Sequence, residues 1–242
     1  MIITSRANPL IKEIASLSEK KFRKQAGLYL VEGTKPVKEC IAAGCDIEKI
    51  VCTADNEKTF SGAVVVSDGV FKSISSEKTP QGALAVVKMP QTPLRKPEGC
   101  CLLLDCLQDP GNLGTVIRTA NAAGYEEIYL INCADPYSPK AVRASMSGIF
   151  FVKLFSGSCG EILSLLEDVP LICADMDGEN IFGFIPPKKH CLCIGNEGSG
   201  ISREVFSKSA YSVKIPMRGT CESLNAAVSA GIAMYALKNN IK

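Results

Sequence analysis

Residues 100–131, CCLLLDCLQDPGNLGTVIRTANAAGYEEIYLI, hold the alternation that decides the fold. Cys100 to Asp105 is an apolar run of strand length, followed by a polar turn at Asp109 to Asn112. From Leu113 to Ala123, the residues Leu113, Val116, Ile117 and Ala120 recur at helical spacing until Gly124 stops the helix. A second strand, Glu127 to Ile131, completes a strand–helix–strand unit of the kind that builds parallel sheets.

The same alternation runs on toward the C-terminus. Strands are expected at Phe150–Phe155, Leu171–Ala174, His190–Ile194 and Ser212–Ile215, and helices at Pro139–Ser147, Gly160–Leu166, Ser202–Ser207 and Ser223–Lys238. Apolar strands between such helices imply an α/β parallel sheet covered on both faces, with ligands bound at the carboxyl ends of its strands. Upstream, Met89 to Gly99, MPQTPLRKPEG, has three prolines and reads as an extended linker. The expected division is therefore residues 1–90, a linker at 91–99, and residues 100–242. Before the linker, helical patterns at Pro9–Lys24 and Lys35–Ala43 alternate with strands at Leu28–Val31, Lys49–Cys52, Ala63–Val66 and Ala83–Val87, a small α/β domain.

The composition, 46% apolar and 21% charged over 242 residues, suits one large or two small folded domains. No run approaches the roughly 18 apolar residues of a membrane span, and Met1–Leu10 lacks the plan of a signal peptide, so a cytoplasmic location is expected. The twelve cysteines are scattered through apolar runs and read as buried thiols. Cys191 and Cys193 stand one residue short of the usual zinc spacing and His190 is the single histidine, so no metal site is expected. The same scarcity weakens any Ser/His mechanism. Residues 1–99 carry a net charge of +4 and residues 100–242 a net of −2. The basic excess gathers at Lys20, Lys21, Arg23 and Lys24 beside Phe22, with Arg6 and Lys12 upstream. It is either a solvated helix face or a phosphate-contacting patch.

Three loops that follow strands are polar and glycine-rich. The first, QDPGNLGTVIRTA at Gln108–Ala120, has Asn112 as a candidate helix cap and Arg118 off the apolar stripe. The second is IGNEGSGI at Ile194–Ile201, where Gly195, Gly198 and Gly200 surround Asn196 and Glu197. The third, IPMRGTCESLNAAVSAG at Ile215–Gly231, puts Glu222, Ser223 and Asn225 at a helix entrance, where unpaired backbone N–H groups can bind a ligand. There Ser223 reads as the N-cap, with Leu224, Val228, Gly231, Ile232 and Tyr235 on one face. No dinucleotide fingerprint or phosphate loop is present, which argues against NAD and ATP.

Taken in order, these loops resemble the SpoU (TrmH-like) family of RNA ribose 2′-O-methyltransferases, of the SPOUT class. The resemblance rests on Asn112 and Arg118, on Gly195–Gly198, and on Ile215–Met217 with Ser223–Asn225, and it covers residues 100–242. YLVEG at Tyr29–Gly33 and TPQG at Thr79–Gly82 are similar to segments of that family's ribosomal-protein-like RNA-binding domain.

The resemblance implies a deep trefoil knot formed by the second and third loops, a feature that periodicity cannot foresee because knots are nearly absent from proteins. Close backbone approach there would need Gly195, Gly198, Gly200, Gly219, Ala226, Ala227 and Ala230. It implies S-adenosylmethionine held by main-chain groups at Gly195, Ile215 and Leu224, with Met217, Glu197 and Asn225 nearby, and a methyl transferred to a ribose 2′-hydroxyl. Arg118, Asn112, Glu197, Ser223 and Asn225 would form the catalytic set. Arg118 would act either as a base or, since a guanidinium normally stays protonated, as an orienting and charge-stabilising group. Arg6, Lys12, Arg23, Lys24 and Arg143 would contact RNA, and a homodimer would form through the C-terminal domain. Ribosomal RNA is the favoured substrate. The alternatives are a tRNA methyltransferase, a non-catalytic RNA-binding or assembly factor, and a small-molecule enzyme using another nucleotide.

Overall fold

A computed structural model describes every residue except Met1, Gly219, Cys221, Glu222, Ile241 and Lys242. Residues 1–91 with 135–150 pack as one unit, and residues 92–134 with 151–242 as a second.

The first unit contains β1 (Ile2–Ile3), α1 (Pro9–Ser16), α2 (Lys20–Ala26), β2 (Leu28–Glu32), α3 (Thr34–Ala42), β3 (Ile47–Thr53), β4 (Val64–Val66), α4 (Asp68–Ile74) and β5 (Ala83–Lys88). Its five strands lie in the order β1-β4-β3-β5-β2, with β5 antiparallel to both neighbours. Ile11, Ile14, Leu17, Phe71 and Leu84 fill the core beneath. The helix expected over Pro9–Lys24 is two helices. Arg23 Nη1 donates to the carbonyls of Leu17 and Ser18 at 2.8 and 2.7 Å, so these helix-end acceptors are satisfied without a continuing turn.

The chain then forms β6 (Cys101–Asp105), α5 (Pro110–Ala123), β7 (Glu127–Ile131), α6 (Pro139–Ala144), β8 (Lys153–Gly157), α7 (Cys159–Leu165), β9 (Leu171–Asn180), β10 (Cys191–Ile194), α8 (Arg203–Phe206), β11 (Ser209–Lys214) and α9 (Ala226–Asn240). Six strands in the order β11-β9-β10-β6-β7-β8 make one sheet, parallel throughout, as expected. β9 outruns its expected end at Ala174 and reaches Asn180, pairing with β11 across register shifts. Gly178 permits this pairing, because a side chain there would run into the backbone of Ser212 and Val213.

Residues 135–150 fall inside the range expected for the second domain but pack into the first unit. Asp135 pairs with Arg23 at 2.6 Å, the Tyr29 and Tyr137 rings lie 4.9 Å apart, and the Ser147 hydroxyl donates to Glu39 at 2.5 Å. Periodicity reports that α6 has an apolar face, not which surface covers it. The 92–99 segment carries no regular element yet is tied to its own unit. Arg95 pairs with the buried Glu127 at 2.5 Å, Glu98 N–H donates to the same carboxylate at 2.8 Å, and Lys189 reaches the Pro97 carbonyl at 2.7 Å.

Two helix readings need correction. α5 starts three residues early: Pro110 occupies its first turn and Asp109, not Asn112, is the cap, its carboxylate accepting from Asn112 N–H at 2.8 Å. α9 begins at Ala226, capped by Asn225 rather than Ser223, with Asn225 Oδ1 accepting from Ala227 and Val228 N–H at 2.9 and 3.3 Å. Its buried face is Ala227, Ala230, Ala233, Met234 and Leu237, whereas Leu224, Val228 and Tyr235 are exposed. Alanines take three places on that face where α9 lies close on α5, with Gly231 against Thr119.

Candidate functional site

The three polar loops leave the carboxyl ends of β6, β10 and β11, the end of a parallel sheet where ligands gather. Hydrogen bonds join them in one chain. Asn225 Nδ2 donates to Asn112 Oδ1 at 2.9 Å, and Asn112 Nδ2 donates to Glu197 Oε1 at 3.0 Å. Glu197 also faces the backbone N–H groups of Gln108 and Asp109 at 3.5 and 3.4 Å. The carboxylate therefore sits at the start of α5, where the helix dipole favours negative charge. Burial opposes its ionisation, but the Asn112 amide and the N–H groups of Glu197, Gln108 and Asp109 outweigh this and hold the carboxyl below its usual range.

The Gly195–Ile201 loop is built on Asn196, which the motif contains without a stated role, and on Asp105, which lies outside it. Asn196 Nδ2 donates to the Cys106 carbonyl at 2.8 Å, while Asn196 Oδ1 accepts from Gly198 and Ser199 N–H at 2.9 and 3.0 Å. The buried Asp105, at the end of β6, accepts from Ser202 N–H at 2.7 Å and fixes the loop's far end. Cys106 follows with φ 57°, an uncommon conformation for a non-glycine residue. Asp105 had one sequence signal, a carboxylate closing an apolar strand. Gly195 lacks room for any side chain, which would strike the Gly200 and Ile201 backbone, and Gly200 takes φ +68°. Gly198 has more space, and Gly219 lies outside the described residues.

Arg118 projects from α5 into solvent, and no hydrogen bond or ion pair engages it among the described residues. Ile215 is half-buried, and Met217, Ser223, Leu224 and Asn225 are exposed at the same end of the unit. Glu222 lies outside the described residues. Asn112, Glu197 and Asn225 are thus brought into contact, while Arg118 stands clear of them.

In the first unit, Arg6, Lys12, Lys20, Lys21 and Lys24 are exposed. Arg23, expected among the RNA contacts, is not available for that role. It is 2% exposed and its guanidinium is consumed by Asp135 and two carbonyls. The basic run was counted by charge, and charge alone does not say which member of an amphipathic helix faces inward. Arg143 is exposed but paired with Glu77 and Ser76, each at 2.8 Å.

Among the described residues no cluster of His, Cys, Asp or Glu could hold a metal ion, and no helix is long and apolar enough to cross a membrane. Residues 99–235 match the SpoU rRNA Methylase family, and residues 8–85 the MRM3-like substrate binding domain. A 23S rRNA (guanosine(2553)-2′-O)-methyltransferase of Bacillus subtilis is 30% identical, with 98% of each chain covered. An AdoMet-bound rRNA methyltransferase from Sinorhizobium meliloti superimposes with a TM-score of 0.90 at 27% identity, covering 100% of this chain and 98% of that one. A TrmH-family RNA methyltransferase structure from Porphyromonas gingivalis gives a TM-score of 0.88 at 34% identity, covering 96% and 98%. With both the loops and the fold in agreement, this chain belongs to the SpoU rRNA methylase family.

Proposed function

We propose that this protein methylates a ribose 2′-hydroxyl of ribosomal RNA, using S-adenosylmethionine, in the cytoplasm. The observation that carries this reading is the Asn225–Asn112–Glu197 chain, which ties the three loops into one site. The donor set suits the cofactor. Glu197 offers a negative charge toward a sulfonium, the loops offer backbone groups, and Ile215, Met217 and Leu224 offer apolar surface at the helix entrance. Gly195, Ile215 and Leu224 would hold the nucleoside through their main chain, with Ser223 organising the turn before α9. When bound there, S-adenosylmethionine supplies an electrophilic methyl group.

The protein's own part is positioning and charge. Asn112 and Glu197 fix the start of α5, and α5 carries Arg118 two turns on. The Arg118 guanidinium orients the ribose and its phosphate and stabilises the alkoxide that develops as the hydroxyl proton departs late. Arg118→Lys distinguishes this from a base role: a near wild-type rate with one lowered ionisation in the pH–rate profile, as the less basic amine requires, would show Arg118 to be the base.

The exposed lysines of the first unit, with Arg6 and Lys12, supply phosphate contacts, and the domain spanning 1–90 presents the RNA. Arg143 would join them on exchanging Glu77 for a phosphate. The exposed apolar face of α9, Val228 and Tyr235, supports a homodimer through the C-terminal domain in which Arg118 of one subunit serves the other's cofactor. The segment from the second loop to α9 would form the trefoil knot. Ribosomal RNA is favoured because the Bacillus subtilis relative matches along the whole chain. Mapping 2′-O-methylation across total RNA with and without the protein tests the assignment. Loss of one rRNA ribose methyl is expected, loss confined to tRNA would redirect the substrate, and no change anywhere would favour an RNA-binding factor.

A further inference from the structure

A strained turn follows α6 in the first unit. Met146 and Ser147 are consecutive non-glycine residues with positive φ, 45° and 67°. For a side chain as bulky as methionine this conformation is an outlier. The residues beside Met146 hold the turn in place. Ser145 is fully buried and its hydroxyl donates to the Val142 carbonyl at 2.6 Å, Gly148 N–H donates to the Ser145 carbonyl at 2.8 Å, and the Ser147 hydroxyl donates to Glu39 at 2.5 Å. Met146 itself is 55% exposed and adds little to that packing. The fold thus spends free energy to hold an apolar side chain out in water, the kind of strain that gathers at binding sites.

Cations flank the turn on both sides. Lys140 and Arg143 lie one turn apart on α6 and are exposed. Arg143 rests on Ser76 and Glu77, and Ser76 is set in turn by Glu32, whose carboxylate accepts from the Ser76 N–H and hydroxyl at 2.9 Å each. On the other side Glu39 holds Ser147 and also pairs with Lys35 at 3.7 Å, the lysine side chain being 77% exposed. Lys35 follows Thr34, whose N–H donates to Gln81 Oε1 at 3.0 Å. The segments 29–33 and 79–82 therefore support, through Glu32 and Gln81, the elements that carry Arg143 and Lys35.

We propose that Met146 is a contact for an unstacked base of the substrate RNA, with Lys35, Lys140 and Arg143 on the phosphates beside it. This rests on the RNA substrate proposed above and adds the residue that senses a base rather than the backbone. The thioether is polarisable and packs well on an aromatic face, and single-stranded RNA offers such faces wherever a base leaves its stack. The flanking charge favours this occupant over an apolar groove on a protein, which would desolvate the cations that RNA phosphates neutralise. Met146 reads no hydrogen-bonding edge, so it selects for an unpaired base and not for one base type.

Binding of the full-length protein to deproteinised ribosomal RNA from cells lacking it, measured at several salt concentrations, tests this. Asparagine tolerates positive φ, so Met146→Asn should keep or raise the urea midpoint. Its affinity for the RNA should nevertheless fall about tenfold, the loss of one thioether–base contact. That loss should be the same at every salt concentration, because the contact carries no charge, whereas Lys35→Gln should shrink the slope of log affinity against log salt by about 0.7–0.9. Met146→Leu keeps the apolar bulk and should bind within about twofold of wild type. Affinity for S-adenosylmethionine should be unchanged in all three. A Met146→Asn protein that methylates RNA and binds it as tightly as wild type would overturn this inference alone, and a wild type that binds no ribosomal RNA would overturn it together with the substrate reading. A lowered urea midpoint or an altered oligomeric state in Met146→Asn would also overturn it, by assigning Met146 to the fold or to a subunit contact.

Discussion

Asn225 does two jobs with two atoms: Oδ1 caps α9 and Nδ2 reaches Asn112. Asn225→Ser keeps a capping oxygen but removes the amide donor, so stability should change by less than about 1 kcal/mol while methyl transfer falls about 10²-fold through poorer positioning. Urea denaturation and single-turnover rates read the two effects separately. Glu197 gives a pH signature. Its carboxyl is held low in the folded loop, so the stabilisation it lends the site is fully present above the ordinary carboxylate pKa of about 4.3. That contribution is lost as pH falls through the depressed value. Cofactor affinity of the wild type should therefore drop at acid pH, and Glu197→Gln should flatten that limb; titration calorimetry across pH 3 to 7, as about the needed range, measures it.

At the scale of the helix, α2 separates structure from binding within one basic run. Arg23→Ala leaves the part-buried Asp135 without its partner and the Leu17 and Ser18 carbonyls without their donor, and should destabilise the fold by about 3 kcal/mol, read by chemical denaturation. Replacing the exposed Lys20 and Lys24 by Gln should leave stability within about 0.5 kcal/mol. The same change should weaken RNA binding and shrink the slope of log affinity against log salt by about 0.7–0.9 for each lysine–phosphate pair removed. Unaltered salt dependence would remove these lysines from the RNA surface. α9 teaches a related point, because Val228 and Tyr235 face outward while Ala227, Ala230 and Ala233 share the buried side with Met234 and Leu237. Hydrophobicity ranks the faces by water transfer, whereas the close approach of α5 ranks them by size.

For the whole molecule, the proposed dimer makes a prediction that no single chain can satisfy. Arg118→Ala and Glu197→Gln proteins, each inactive alone, should on mixing recover about a quarter of wild-type activity, because half the dimers are mixed and each has one complete site. Activity that stays at zero after subunit exchange, verified by native mass spectrometry, would place Arg118 and its loops in one subunit. The division of the chain also has a physical lesson. Residues 135–150 leave the second unit's sequence range to pack on the first, through Asp135, Tyr137 and Ser147. Each of these contacts spans about a hundred positions or more, beyond the reach of local pattern.

The sequence by itself determined the parallel α/β sheet, since apolar strands and amphipathic helices follow from local periods of two and 3.6 residues. It also determined the three loops, through residue types at fixed spacing: Asn112 and Arg118, Gly195–Gly198, and Ile215–Met217 with Ser223–Asn225. Tertiary structure alone decided that Asn225, Asn112 and Glu197 touch, that Asp105 and Asn196 brace the second loop, and that Arg23 turns inward while its lysine neighbours do not. Those outcomes depend on which surfaces meet, and a hydrogen bond between residues 113 positions apart leaves no mark on the local pattern of either.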